Sequence, residues 1–121
     1  MHINLTQADQ DKSLLISISE PIARRLASKK AGVRSGSLPV LAAVVFRQRN
    51  RLSTTPRVIY AAEIANTKLV RTYLRELIAA GLVNLQIIRG RRYLSPTLAG
   101  LGVAVHYTKT IRSMSRTFSQ A

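Results

Sequence analysis

The sequence predicts a mainly α-helical domain that carries one short, basic β-hairpin and is flanked by helices at both ends. Three observations predict it. Val70, Leu74, Leu77 and Ile78 recur at offsets 0, 4, 7 and 8, the spacing of a single helical stripe. Gly81 follows at once as a stop, because the residue after a last helical turn takes φ > 0 most easily as glycine. Leu82 to Ile88 and Arg91-Arg92-Tyr93-Leu94 then read as two short strands, with Arg89-Gly90 as the turn between them.

The chain's 121 residues are one domain's worth, enough for a modest core. Lysine and arginine number 19 against 5 acids, a formal net charge of +14, which favours a polyanionic partner. Hydrophobic residues make up 46% of the chain, so this charge is expected on the surface of something folded rather than on a disordered basic tail. There is no cysteine, which removes disulfides and thiolate metal sites. The first residues lack a basic start and an apolar core, so no secretory signal is expected. The longest apolar run, Leu38 to Phe46, is about half of the ~20 residues a membrane span needs, and no membrane partner is expected.

In chain order, residues 1–12 are polar and read as an arm. Ser13 to Ser19 sets Leu14, Ile16 and Ile18 against Leu15 and serines, which suits a short strand or the apolar lead-in to a helix. Ser19-Glu20-Pro21 is a helix start, with Ile22 and Leu26 expected to be buried and Gly32 as the stop. Arg24, Arg25, Lys29, Lys30 and Arg34 give that helix a basic face, open to phosphate contact or to plain solvation. Ser37 is expected to cap the next helix, with Pro39 in its first turn and its end near Asn50. Leu38, Val40, Leu41, Ala42, Ala43, Val44, Val45 and Phe46 make it apolar nearly all round, as a central helix is. Arg47, Arg49 and Arg51 suit the negative end of its dipole, a structural role.

Thr55 then caps a helix with Pro56 first inside and Ile59, Ala62 and Ala65 on one face. This helix is expected to run through Ala61-Ala62-Glu63-Ile64-Ala65, so that Asn66-Thr67 alone connects it to the helix of the Val70 stripe, with Thr67 as cap. Lys68, Arg71, Thr72 and Arg75 lie on the face of that helix away from the stripe. Ser95-Pro96 opens the last helix, where Val103, Tyr107, Thr110, Ile111, Met114 and Phe118 sit at offsets 0, 4, 7, 8, 11 and 15. Within it, Gly100-Leu101-Gly102 reads as close helix packing rather than a phosphate loop, since the lysine and strand context are missing.

At these residues the chain resembles a winged helix-turn-helix of the MarR type. The pattern is Val70, Leu74, Leu77, Gly81-Leu82-Val83, the basic turn Gly90-Arg91-Arg92, then Leu94-Ser95-Pro96-Thr97 and Gly100, within roughly residues 38–105. Both the helix-to-helix connection and the hairpin are shorter than is usual there. The resemblance implies a recognition helix in a DNA major groove and a wing on the flanking backbone or minor groove. Lys68, Arg71, Thr72 and Arg75 are the expected helix contacts, with Arg71 or Thr72 reaching base edges. Arg89, Arg91 and Arg92 are the expected wing contacts.

The last helix's stripe has little sequence left to cover it, and calls for the segment of residues 13–31, a partner chain, or both. A homodimer that uses both is expected, with Val103, Tyr107, Ile111, Met114 and Phe118 at the interface; the alternative is a monomer whose last helix folds back on Ile22 and Leu26. The parts are then an N-terminal arm and flanking helix over residues 1–36, a winged helix-turn-helix core over 37–97 and a C-terminal dimerisation helix over 98–121.

Catalysis is not expected. The five acids form no evident pair, and His2 and His106 are isolated. No cofactor or metal is expected. The partner is expected to be double-stranded DNA, ahead of RNA or an acidic protein, and the place the cytoplasm, at the nucleoid. A transcriptional regulator is the first role; a plasmid-partition, replication or architectural protein of the same fold, or a winged helix used for RNA or protein contact, is the second.

Overall fold

Helix α2 (Ser37–Arg49) forms the centre, and every other helix packs against it. The structure, a computed structural model, describes residues 6–119, with side chains described up to residue 117. Around α2 lie α1 (Gln7–Ala31), α3 (Pro56–Ala61), α4 (Thr67–Ala79), the hairpin β1 (Val83–Ile88) and β2 (Arg91–Pro96), and α5 (Leu98–Ser119). Leu38, Val40, Leu41 and Val44 of α2 are fully buried, each leucine worth about 1.5–3 kcal/mol by removal from water. Phe46 departs from the expected all-round burial: it projects at 63% exposure, one turn before the helix ends.

Helix α1 is longer than expected. It starts at Gln7, where Thr6 Oγ1 accepts from the Asp9 N–H and donates to the Asp9 carboxylate, a reciprocal cap that draws residues 7–18 into the helix. The expected arm is therefore helical from residue 7 on, and residues 1–5 lie outside the described residues. Pro21 sits inside the helix rather than at its start, while Gly32 at φ +73 ends it as expected.

Helices α1 and α5 run side by side, but not through the side chains expected. Ser19, Ala23 and Ala27, at a spacing of four, are the buried ones, whereas Ile22 and Leu26 stand 42% and 53% exposed. The cause is steric: small side chains let two helix axes approach closely, so the alanine and serine row forms the seam and the larger residues turn outward. Tyr107 of α5 is buried and donates its hydroxyl to Glu20, which also holds Arg24 at 2.8 Å.

Several boundaries shift by a residue or more. Gly36 rather than Ser37 is the N-cap of α2, and only glycine fits there because the Tyr73 ring lies where a side chain at 36 would stand; Ser37 is the first helical residue, buried, with its hydroxyl unpartnered among the described residues. Helix α3 starts at the expected Thr55 cap but stops at Ala61, so residues 62–66 form the connection, with Glu63 at φ +54. Asn66, not Thr67, caps α4: its Oδ1 accepts from the Leu69 N–H at 2.9 Å. Pro96 ends β2, and α5 starts after Thr97, whose hydroxyl accepts from the Gly100 N–H and donates to the Gly81 carbonyl.

The junction from α4 to the hairpin forms as expected. Gly81 takes φ +74, the Leu82 N–H returns to the Leu77 carbonyl at 2.9 Å and the Gly81 N–H to the Ile78 carbonyl at 3.1 Å, while Leu77 and Leu82 are both buried beneath. The strands pair antiparallel from Val83 opposite Pro96 to Ile88 opposite Arg91. Arg89 and Gly90, at φ +50 and +77, form the two-residue turn whose left-handed backbone conformation matches the right-handed twist of the paired strands.

Candidate nucleic-acid interface

The hairpin is not left free to swing. The Leu94 N–H of β2 donates to the Thr54 carbonyl at 2.8 Å, just ahead of α3, and Leu94 itself is buried. With β2 tied to the segment ahead of α3 in this way, α3, α4 and the hairpin enclose a concavity of about 1120 Å³. Arg71 and Arg75 from α4 line one wall, Arg91 and Arg92 from β2 another, and Arg57 and Tyr60 from α3 the end. Leu74, Ile78, Leu85, Ile87 and Leu94 form an apolar floor. Among the described residues no acid lines this cleft, and none of α5 does.

Arg71 and Arg75 of α4 and Arg91 and Arg92 of β2 thus line one groove. They converge on one groove because the Val70, Leu74 and Leu77 stripe is buried, which turns the opposite edge of α4 toward the hairpin. Glu76, the single acid of α4, is used elsewhere: it accepts from the Arg34 N–H in the corner after α1. Arg71 lies over the Tyr60 ring, its Cζ 5.8 Å from the centroid.

No family model matches the sequence, and no curated protein matches it. Solved structures do. A variant of MepR from Staphylococcus aureus bound to an oligodeoxyribonucleotide superposes with a TM-score of 0.70 at 18% identity, over 98% of this chain and 86% of that one. MepR described as a transcription regulator of the multidrug efflux pump MepA gives 0.67 at 19%, over 90% and 83%. The oxidised form of MarR from Escherichia coli gives 0.64 at 10%, over 94% and 79%. The fold is the MarR-type winged helix.

In winged-helix terms, α3 and α4 are the helix-turn-helix and β1–β2 the wing. Of the expected contacts, Arg71, Arg75, Arg91 and Arg92 share the cleft, while Lys68, Thr72 and Arg89 lie outside its lining. Lys68 is exposed on the first turn of α4, and Thr72 is half-buried with its hydroxyl donating to the Lys68 carbonyl at 3.1 Å. Arg89 is exposed at the wing tip.

Arg57 and Tyr60 were not anticipated. Both come from α3, and no periodicity in the sequence marks a residue whose partner lies on another element. Of the expected interface residues on α5, Tyr107 is buried against α1, and Val103, Ile111 and Met114 are half-buried against the chain's own core. The Phe118 side chain lies outside the described residues. On α1, by contrast, Leu14, Ile18, Ile22 and Leu26 form an open apolar row, each 42–60% exposed. Among the described residues no helix is long and apolar enough to cross a membrane, and no three His, Asp or Glu side chains gather as metal ligands.

Proposed function

We propose that the chain binds double-stranded DNA as a homodimeric transcriptional regulator, with α4 in the major groove and the wing arginines on phosphates or in the adjoining minor groove. The observation that carries this is the convergence of Arg71 and Arg75 with Arg91 and Arg92 on one acid-free cleft. The wing side of the cleft suits the sugar-phosphate ridge between two grooves: the guanidinium groups of Arg91 and Arg92 fit phosphate oxygens in pairs, and an apolar floor meets the deoxyribose faces, while Arg71 on the opposite wall faces the groove. The DNA complex of MepR supports the reading by fold. Lys68 and Arg89 extend the basic surface beyond the cleft at either end.

The dimer is proposed through the α1–α5 pair. Leu14, Ile18, Ile22 and Leu26 offer the open apolar row, and Val103, Ile111 and Met114 contribute from α5. A two-fold arrangement would present two recognition helices to successive turns of one duplex face.

Binding measured against salt tests the proposal. If roughly six to ten phosphates are neutralised per dimer, affinity for duplex DNA falls by about three to five decades between 50 and 200 mM salt. A flat response, or tighter binding to RNA duplex competitor, would remove the DNA reading.

A further inference from the structure

We infer that Tyr60 is the positioning residue for Arg71: its ring holds the guanidinium by a cation–π contact at the cleft, and this sets sequence discrimination. The inference rests on the DNA reading above and goes beyond it by assigning a determinant on α3.

Three observations carry it. Arg71 Cζ stands 5.8 Å from the Tyr60 centroid, within reach of the ring's negative face. Tyr60 is itself half-buried, packed on the hydrophobic cluster, so the ring cannot follow the arginine if it moves. Arg71 has no ion-pair partner among the described residues; the two ion pairs found there are Arg24–Glu20 and Arg34–Glu76. A long side chain that would otherwise sample many rotamers is thus held by a ring contact, with no carboxylate taking its N–H donors.

The chemistry follows from the shape of the group. All five guanidinium N–H bonds lie in its plane, so stacking on a ring leaves every donor free at the edges. A plate held in this way meets a pair of acceptors side by side, the arrangement a guanine presents through O6 and N7 in the major groove. An arginine without the ring reaches the same acceptors but must first lose its rotamer freedom, and it falls as readily onto a phosphate. Arg75 carries the same charge one turn further along α4, makes no such ring contact among the described residues, and serves as the internal comparison.

The test uses the full chain with two duplexes: one selected by the wild-type protein from random sequence, and a scrambled duplex of the same composition. The readout is the ratio of their dissociation constants. Tyr60→Leu is expected to lower this ratio about two- to five-fold. Tyr60→Phe, which keeps the ring and removes the hydroxyl, is expected to restore it. In an Arg71→Ala background, Tyr60→Leu is expected to change nothing further.

Independent, multiplying effects of Tyr60→Leu and Arg71→Ala would overturn the assignment while leaving DNA binding intact, as would equal losses on both duplexes. Failure of the wild type to bind either duplex would instead remove the DNA reading, and this inference with it. Should Tyr60→Leu fail to fold, Arg71→Lys decides: lysine keeps the charge but has no plate to stack, and wild-type discrimination in that variant would overturn the assignment.

Discussion

The backbone N–H of Arg34 donates to Glu76 Oε1, and the Arg34 Nε lies 3.7 Å from the other oxygen of the same carboxylate. This ties the corner between α1 and α2 to the recognition helix and turns the helix's only acid away from the arginine cleft. Glu76→Ala is expected to cost about 1 kcal/mol, since a charge-assisted bond is worth about 1.5–3 kcal/mol and this one is partly solvated. The urea midpoint should fall with an unchanged slope. Glu76→Gln keeps an acceptor and should recover part of the loss.

Two glycines of α5 should respond in opposite directions. A Cβ at Gly100 would run into the Leu82 backbone carbonyl, which cannot step aside without breaking the junction after α4, so Gly100→Ala is expected to cost about 1–3 kcal/mol. A Cβ at Gly102 meets nothing within 4 Å, so Gly102→Ala is expected to stabilise by about 0.5–1 kcal/mol as a helix-interior replacement. Thermal unfolding of the two variants beside the wild type checks both signs.

Burial raises the Tyr107 hydroxyl well above its ordinary value of 10.0, and its hydrogen bond to Glu20 adds to the shift against a smaller opposing pull from Arg24. Because the folded chain holds this proton more tightly than the unfolded chain, the linked stability is present in full below pH 10.0 and is lost as pH climbs toward the folded value. The stability advantage of wild type over Tyr107→Phe should therefore be constant at neutral pH and shrink under alkali. Phenolate absorbance should show one of the four tyrosines ionising after the others.

Helix α1 offers a prediction about assembly. Ile18 and Ile22 are 44% and 42% exposed within one chain, so Ile18→Glu or Ile22→Glu removes little internal packing. Either change is expected to convert a dimer to a monomer in sedimentation while helical content stays the same. A wild-type chain that sediments as a monomer at micromolar concentration would sink the proposed two-fold arrangement.

The two walls of the cleft should behave differently. Arg91→Ala and Arg92→Ala are expected to weaken binding to all duplexes alike and to reduce the salt slope by about one each. Arg71→Ala is expected to cost about 1–3 kcal/mol on the selected sequence alone. Equal loss of discrimination from the wing variants would refute this division.

The sequence by itself determined the order of the elements, the α4 stripe, the glycine stops at 32 and 81 and the arginine-tipped turn, because each is written in neighbours a few residues apart. Local reading failed where the deciding partner was remote. Ile22 and Leu26 were expected inside on hydrophobicity, but the close approach of α5 selected the row of Ser19, Ala23 and Ala27 instead. Gly36 takes the cap position expected of Ser37, and its lack of a side chain is required by Tyr73, on another helix, which fills the space beside it. The cleft was half legible: the charges of Arg71, Arg75, Arg91 and Arg92 could be read along the chain, but only the Thr54–Leu94 bond and the buried Val70 stripe decide that they face one another. Tyr60 was not legible at all, since a ring becomes a platform only when packing between two helices sets an arginine above it.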